Sequence, residues 1–100
     1  MLVPIGSTIG FPIQVTNGSR TPSTPDAAPT WRIYGPNGGT AILTGTAPSS
    51  DVDSQLGWRF VTGVAVTLAN GFASGNNYFI RATYAISSTN EVDLAEMTVT

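Results

Sequence analysis

Hydrophobic and polar residues alternate with a period of two along most of the chain. From residue 8 to residue 16, apolar side chains alternate with Gly10, Pro12 and Gln14, which predicts a strand with one buried face. Pro12 has no amide hydrogen to donate to a sheet ladder. We therefore expect this strand to lie at a sheet edge, with Pro12 on the open side.

The same alternation predicts strands in five further segments, one of which is long enough to bend at Gly63 into two. The segments are 30–34, 40–46, 56–68, 78–86 and 92–99. Turn residues separate them, most clearly in the Gly-Pro-Asn-Gly-Gly run at 35–39. No segment sustains an apolar repeat of helical period. About seven short strands joined by turns predict an all-β sandwich.

Successive side chains of a strand point to opposite faces, so the odd or even position of a residue along the strand, its parity, predicts whether its side chain is buried. In segment 56–68 it places Trp58 and Phe60 in the core and Arg59 outside. In the last strand Leu94 and Met97 fall on opposite parities, which is compatible with a bulge or a register change. The other inward side chains are Trp31, Tyr78 and Tyr84, and the other outward ones are Arg32, Tyr34, Phe79 and Arg81.

Two segments fall outside the alternation. Residues 1–7 form an N-terminal arm, and residues 8–100 form the single sandwich domain. The arm either adds a strand to the sheet of another subunit or packs on its own domain. Residues 17–29 form an extended loop with three prolines, which restrict the backbone without regular structure.

Composition excludes most enzyme classes. The chain has 100 residues and lacks His, Cys and Lys, so it has no imidazole base, thiolate nucleophile or Schiff-base amine. We therefore expect no enzymatic activity, no catalytic residue, no metal site and no cofactor. Six acids against four arginines give a net charge of −2, which predicts binding neither to nucleic acid nor to an anionic membrane.

Three groups of residues carry some chemistry. Asp51 and Asp53 have the oxygen ligands that calcium prefers, but their spacing alone favours a solvated turn. An aromatic platform for sugar rings is a second possibility, although parity buries most of the aromatic side chains and leaves Tyr34 and Phe79 outside.

The outward arginines form the third group. If their strands are neighbours in one sheet, Arg32, Arg59 and Arg81 line up as a stripe that pairs with carboxylates of a partner. Solvated charges that keep a neutral sheet soluble explain them equally well.

The low charge predicts that much of the surface is covered by neighbouring subunits. Only 10% of the residues are charged, whereas the surface of a free domain usually has roughly 25–35% charged residues. Such a surface is typical of a component of an assembly.

Two stretches carry a resemblance to a known class of proteins. Residues 24–38, TPDAAPTWRIYGPNG, resemble the front half of small immunoglobulin-like modules in virion proteins of tailed bacteriophages. Residues 69–75 and 78–84, ANGFASG and YFIRATY, are similar to the penultimate strand of those modules and the turn before it. The resemblance implies an immunoglobulin-like antiparallel β-sandwich of about seven strands, here with an extended N-terminal arm.

The resemblance also implies a structural role in the virion, assembled in the host cytoplasm. A short chain of this kind resembles head decoration or cement proteins, which bridge and stabilise major capsid subunits. Other virion proteins are possible partners, and a homo-oligomer such as a trimer suits the local three-fold positions of shells. A tail or baseplate connector and a carbohydrate-binding or host-adhesion module are the alternatives.

We expect partner contacts on the arm, on the proline-containing loop and on the outward strand positions. The residues concerned are Met1, Leu2, Val3, Ile5, Arg20, Pro22, Pro25, Arg32, Tyr34, Arg59 and Arg81.

Overall fold

The chain is mostly β-structure, as the alternation predicts, and its strands form two sheets. The computed structural model describes residues 1–100, with the side chain of Ser54 left out. The strands are β1 (Leu2–Val3), β2 (Thr8–Gln14), β3 (Thr30–Tyr34), β4 (Leu43–Thr46), β5 (Trp58–Ala65), β6 (Asn77–Ile86) and β7 (Thr89–Val99). Short 3₁₀ helices at Val52–Ser54 and Leu68–Asn70 lie in the connections, and no described helix is long and apolar enough to cross a membrane.

The two sheets differ in width. One has five strands in the order β1-β7-β6-β3-β4, and the other contains only β2 and β5. All pairs are antiparallel except β1 with β7. In the narrow sheet both strands are edges, which confirms the edge position predicted from Pro12. Next to Pro12, the amide of Gln14 donates to the Asp93 carboxylate at 3.0 Å, so this end of the β2 edge is blocked by a side chain.

The core lies between the two sheets and is built from the inward positions of both. Phe11 of β2 meets Trp31 of β3 edge to face, with ring centroids 5.5 Å apart and an interplanar angle of 89°. Gly45 on β4 lies against the indole, where a Cβ atom would overlap the Trp31 ring. The largest fully buried side chains include Tyr78, Phe72, Ile13, Ile33 and Met97.

Two buried tyrosines fix the loops at opposite ends of β6. The Tyr78 hydroxyl accepts a hydrogen bond from the amide of Ala73 at 2.7 Å and therefore joins the preceding loop to the start of β6. The Tyr84 hydroxyl accepts from the amide of Thr16 at 2.9 Å and therefore joins the end of β2 to the wide sheet. Each hydroxyl satisfies a backbone group that would otherwise be buried without a partner.

A bulge in β5 reverses the predicted parity of its first half. Ile9 pairs with Val64 but Phe11 pairs with Val61, so β5 has one extra residue in this interval, next to Gly63 with φ +75°. One extra residue turns every side chain before it to the opposite face. Arg59 is consequently buried, whereas Trp58 points outward.

β7 has neither of the two irregularities with which its sequence is compatible, a bulge or a register change, because β6 and β7 pair without a shift from Asn77 opposite Thr98 to Ile86 opposite Thr89. Leu94 therefore faces outward and Met97 inward on one regular strand.

The N-terminal arm packs on its own domain. Leu2 pairs with Thr98 and Val3 with Val99 in the parallel β1–β7 ladder. Val3 is 2% exposed and belongs to the core. Of the two alternatives for residues 1–7, the structure shows the intramolecular one.

The proline-containing loop is held against the β6–β7 hairpin by Asp26. Its carboxylate accepts from the amides of Ser87 at 3.0 Å and Ser88 at 2.9 Å. Both serines have positive φ, at +49° and +66°, in the two-residue turn of that hairpin. Such turns favour Asn and Gly. The carboxylate therefore stabilises a turn whose own sequence is unfavourable.

Candidate functional site

The outer face is the solvent-facing side of the five-stranded sheet. It consists of alternate side chains of four strands: Thr30, Arg32, Tyr34, Thr44, Thr46, Phe79, Arg81, Thr83, Val92, Leu94 and Glu96. Three of them are large apolar side chains with high exposure, Phe79 at 47%, Val92 at 47% and Leu94 at 70%. Exposed apolar side chains in neighbouring rows of one sheet face are typical of an interaction surface.

The arginine pair, Arg32 and Arg81, lies at the centre of the outer face. The two residues are directly opposite each other on β3 and β6, and both are exposed. Among the described side chains the ion pair in the structure joins Arg59 to Asp51, so neither member of the arginine pair has an acidic partner. With Tyr34 and Thr83 the pair lines a shallow depression of about 130 Å³. Two of the three predicted arginines therefore do line up across strands.

The third predicted arginine is not on this surface. Arg59 is 3% exposed and points from β5 into the protein, because the bulge at Gly63 inverts its parity. Its guanidinium donates to Asp51 Oδ1 at 3.0 Å and to the carbonyls of Pro48 and Ser49 at 3.0 and 3.1 Å. Arg59 therefore anchors the loop before β5, and the prediction of an outward Arg59 is wrong.

The same inversion exposes an aromatic surface on the two-stranded sheet. Trp58 is 39% exposed and Phe60 43% exposed, although parity predicts both in the core. Together with Pro12 of β2 and with Val52 and Gln55 of the preceding loop, they line a depression of about 290 Å³. Gln14 lies directly opposite Trp58 in the β2–β5 ladder, and Gln55 lines the same depression as Trp58. The aromatic cluster that a sugar platform requires is thus present, at other residues than those expected.

Of the predicted contact residues on the arm, Met1 and Leu2 are on the surface, with exposures of 54% and 74%. Val3 is buried and Ile5 packs against the core, because the β1–β7 pairing turns both inward. These two side chains are consequently not surface contacts.

The loop residues divide in the same way. Arg20 and Pro22 are exposed, whereas Pro25 is buried. Pro25 precedes Asp26, whose amide donates to the carbonyl of Ala85 at 2.8 Å, so the loop lies against the hairpin at this point. Pro25 is therefore also removed from the set of surface contacts.

Of the two aspartates that could offer oxygen ligands to calcium, Asp51 forms structural bonds. Asp51 receives Arg59 and also the amide of Gly57 at 3.2 Å, whereas Asp53 is exposed. The two aspartates do not act together. Among the described side chains no group of three or more acidic residues is close enough to hold a metal ion.

Three exposed residues, Trp58, Phe60 and Leu94, were not predicted to be on the surface, although the sequence contains a signal for each of them. The opposite parities of Leu94 and Met97 already place one of them outside on a regular strand. For Trp58 and Phe60 the signal is Gly63, because a glycine within a long strand marks a site for a bulge. Once the bulge is placed there, both aromatic residues are predicted outward.

Searches of protein-family models, of curated proteins and of solved structures gave no match to this chain.

Proposed function

We propose that this chain is a non-enzymatic accessory subunit of a bacteriophage particle, and that it binds through the outer face of its five-stranded sheet. One observation carries the binding role: Phe79, Val92 and Leu94 are exposed around an arginine pair that has no acidic partner among the described side chains. Aromatic side chains and arginine are enriched in protein interfaces. The outer face has that composition.

Three features support an immunoglobulin-like topology. Trp31 is buried on β3. β3 is next to β6 and β6 next to β7, so β3 corresponds to strand C, which carries a buried Trp in the immunoglobulin fold. Tyr78 is the second residue of β6, and its hydroxyl accepts a hydrogen bond from Ala73 in the loop before that strand, as in a tyrosine corner. The pairing of β2 with β5, and of β3 with β6 and β6 with β7, matches the strand pairs of that sandwich.

The virion context is supported by the resemblance of residues 24–38 and 69–84 to phage modules, and by a charged fraction of only 10%. We place the chain on the head as a decoration or cement subunit that lies across joints between major capsid subunits. Because it binds the assembled shell and not free subunits, binding stabilises the assembled state. Many weak copies, or small homo-oligomers such as trimers, act together.

The test mixes the purified protein with matched empty shells that lack it. We expect saturable co-sedimentation and a higher disruption temperature of the shells. Leu94→Asp should abolish binding, since it replaces an exposed apolar side chain of the outer face by a carboxylate. Leu68→Asp is the matched control, because Leu68 is exposed to 74% against 70% for Leu94 but lies outside that face. Equal loss in both variants, or no binding of the unaltered protein, contradicts the head role, and binding to purified tails instead would establish a connector.

A carbohydrate-binding module is the second candidate, favoured by the exposure of Trp58 and Phe60. The apolar face of a sugar ring stacks on aromatic side chains, and Gln14 and Gln55 supply amide groups beside the indole. The chain has two tryptophans, and Trp31 is only 8% exposed, so a ligand on this surface changes mainly the Trp58 fluorescence. Titration of the unaltered protein with a panel of neutral oligosaccharides should change this fluorescence. The variants lack the Trp58 fluorophore and are compared by calorimetric titration, in which Trp58→Phe should keep part of the affinity and Trp58→Ala should lose it.

A further inference from the structure

We propose that the arginine pair, Arg32 and Arg81, is a two-sided site for a single carboxylate group, supplied by an acidic side chain of the docking partner. The proposal rests on the proposed function, since it names the chemistry by which the outer face recognises its partner.

The first argument is the register of the two strands. Arg32 and Arg81 are directly opposite in the β3–β6 ladder. The Cβ atoms of directly opposite residues are about 4.5–5.5 Å apart, and like charges in this arrangement destabilise a sheet. An uncharged polar residue at either position would serve the isolated fold better. The pair therefore has a cost to the free protein that a bound anion removes.

The second argument is that the chain leaves the pair without a counter-charge although it has six acids for four arginines. Asp51 neutralises the buried Arg59, Asp26 caps the hairpin turn, and Asp93 caps the β2 edge. Glu96 is the acid of the outer face, but it lies opposite Phe79, one row away from Arg81, and forms no ion pair. Glu91 lines a second depression together with Arg81 without forming an ion pair with it, and Asp53 is exposed on the loop before β5. The positive charge of the pair is thus open to a group from outside.

The third argument is the shape and lining of the site. Arg32 and Arg81 line the depression of about 130 Å³ together with Tyr34 and Thr83, whose side chains carry hydroxyl groups. A guanidinium group presents a planar fork that binds a carboxylate with two parallel hydrogen bonds. Two arginines that line one small depression suit one carboxylate rather than an extended polyanion.

The apolar surroundings favour a protein partner as the source of that carboxylate. Phe79 and Leu94 flank the arginine pair on the outer face, with exposures of 47% and 70%. Their desolvation in an interface would strengthen a charge-assisted hydrogen bond at the centre. An acidic side chain within an apolar contact region fits this surface.

The test uses the isolated chain and no shells, so that its outcome is independent of the proposed function. The variants are Arg32→Gln, Arg81→Gln and the double variant. Arg20→Gln is the control: Arg20 is also an expected partner contact, but it lies on the proline-containing loop and is not part of the outer face, so this variant removes one exposed charge without changing the proposed site. At low ionic strength we expect the single variants to unfold at or above the temperature of the unaltered protein, because the repulsion is relieved.

The probes are sodium phosphate as an oxyanion and a capped peptide with two glutamates, the latter compared with its glutamine counterpart at equal ionic strength. We expect both anions to shift the amide resonances of β3 and β6 in the unaltered protein and in Arg20→Gln. Each single variant should lose about tenfold or more in apparent affinity, the effect of one charge-assisted hydrogen bond. An equal response in the double variant overturns the site, and binding of phosphate but not of the glutamate peptide overturns the carboxylate assignment. A lower unfolding temperature of the Gln variants at low ionic strength contradicts the argument from repulsion.

Discussion

Replacing Asp51 by alanine should destabilise the protein strongly, because it leaves the buried charge of Arg59 without a counter-charge. The guanidinium is then held only by the carbonyls of Pro48 and Ser49. Removing one partner of a buried ion pair costs roughly 3–5 kcal/mol. The Asp51 side chain is 25% exposed and Arg59 4%, so water partly replaces the lost carboxylate. We therefore expect a loss of about 2–3 kcal/mol, or roughly 10–20 °C in the unfolding temperature.

Urea unfolding at pH 7, followed by tryptophan fluorescence, measures this loss as a lower midpoint at unchanged slope. Asp53→Asn is the matched control, since it also removes a carboxylate from the same loop. Asp53 is exposed and has φ +48°, a conformation that asparagine tolerates well. The control should change the free energy of unfolding by less than about 0.5 kcal/mol.

A second substitution tests the cause. Arg59→Met in the Asp51→Ala background removes the uncompensated charge and fills much of the same space, so it should recover most of the loss. The bond from the amide of Gly57 to Asp51 stays lost, and so do the bonds from Arg59 to the carbonyls of Pro48 and Ser49. Because Pro48 and Ser49 are exposed, water replaces the donors at their carbonyls, and the remaining deficit is about 1 kcal/mol. If Asp51→Ala is no more harmful than Asp53→Asn, or if the double variant is as unstable as Asp51→Ala alone, the buried-charge explanation is refuted.

Three further substitutions test the turn and the core. Asp26→Ala should cost about 1 kcal/mol, because the amides of Ser87 and Ser88 lose their acceptor; faster hydrogen exchange of those two amides is the specific readout. Ser88→Gly should stabilise the protein by up to about 1 kcal/mol in urea unfolding, since φ is +66° there. Gly45→Ala should cost roughly 1–3 kcal/mol and alter the near-ultraviolet circular dichroism, because the added methyl group overlaps the Trp31 ring.

Alternation predicted the strands well wherever one face of a strand is buried and its register is unbroken. The predicted bounds 30–34 are those of β3, and β6 begins at Asn77 instead of residue 78. β5 is different, because its parity changes at Gly63. The number of residues within a bulge depends on the pairing with β2, and that pairing is not part of the local pattern. One extra residue in β5, which the local pattern does not locate, therefore reverses the predicted orientations: Arg59 is buried and Trp58 points outward.

The candidate site could be predicted only in part for a similar reason. That Arg32 and Arg81 point outward follows from parity within each strand. That they are directly opposite follows from the β3–β6 register, and these strands are separated by more than forty residues of chain. The sequence also leaves open where the N-terminal arm packs. An apolar pentapeptide can pair with the edge of its own β7 as well as with that of a neighbouring subunit.

The unequal width of the two sheets explains why this small protein has two different outer surfaces. The five-stranded sheet has enough strands to place Phe79 and Leu94 next to the arginine pair on one face. The two-stranded sheet is too narrow for that, and its aromatic side chains instead border a depression shared with the loop before β5. Two packed sheets lie about 10 Å apart, so substitutions on the two surfaces act independently. Loss of shell binding through Leu94 and loss of sugar binding through Trp58 are therefore separate questions about the same molecule, and a positive answer to one does not weaken the other.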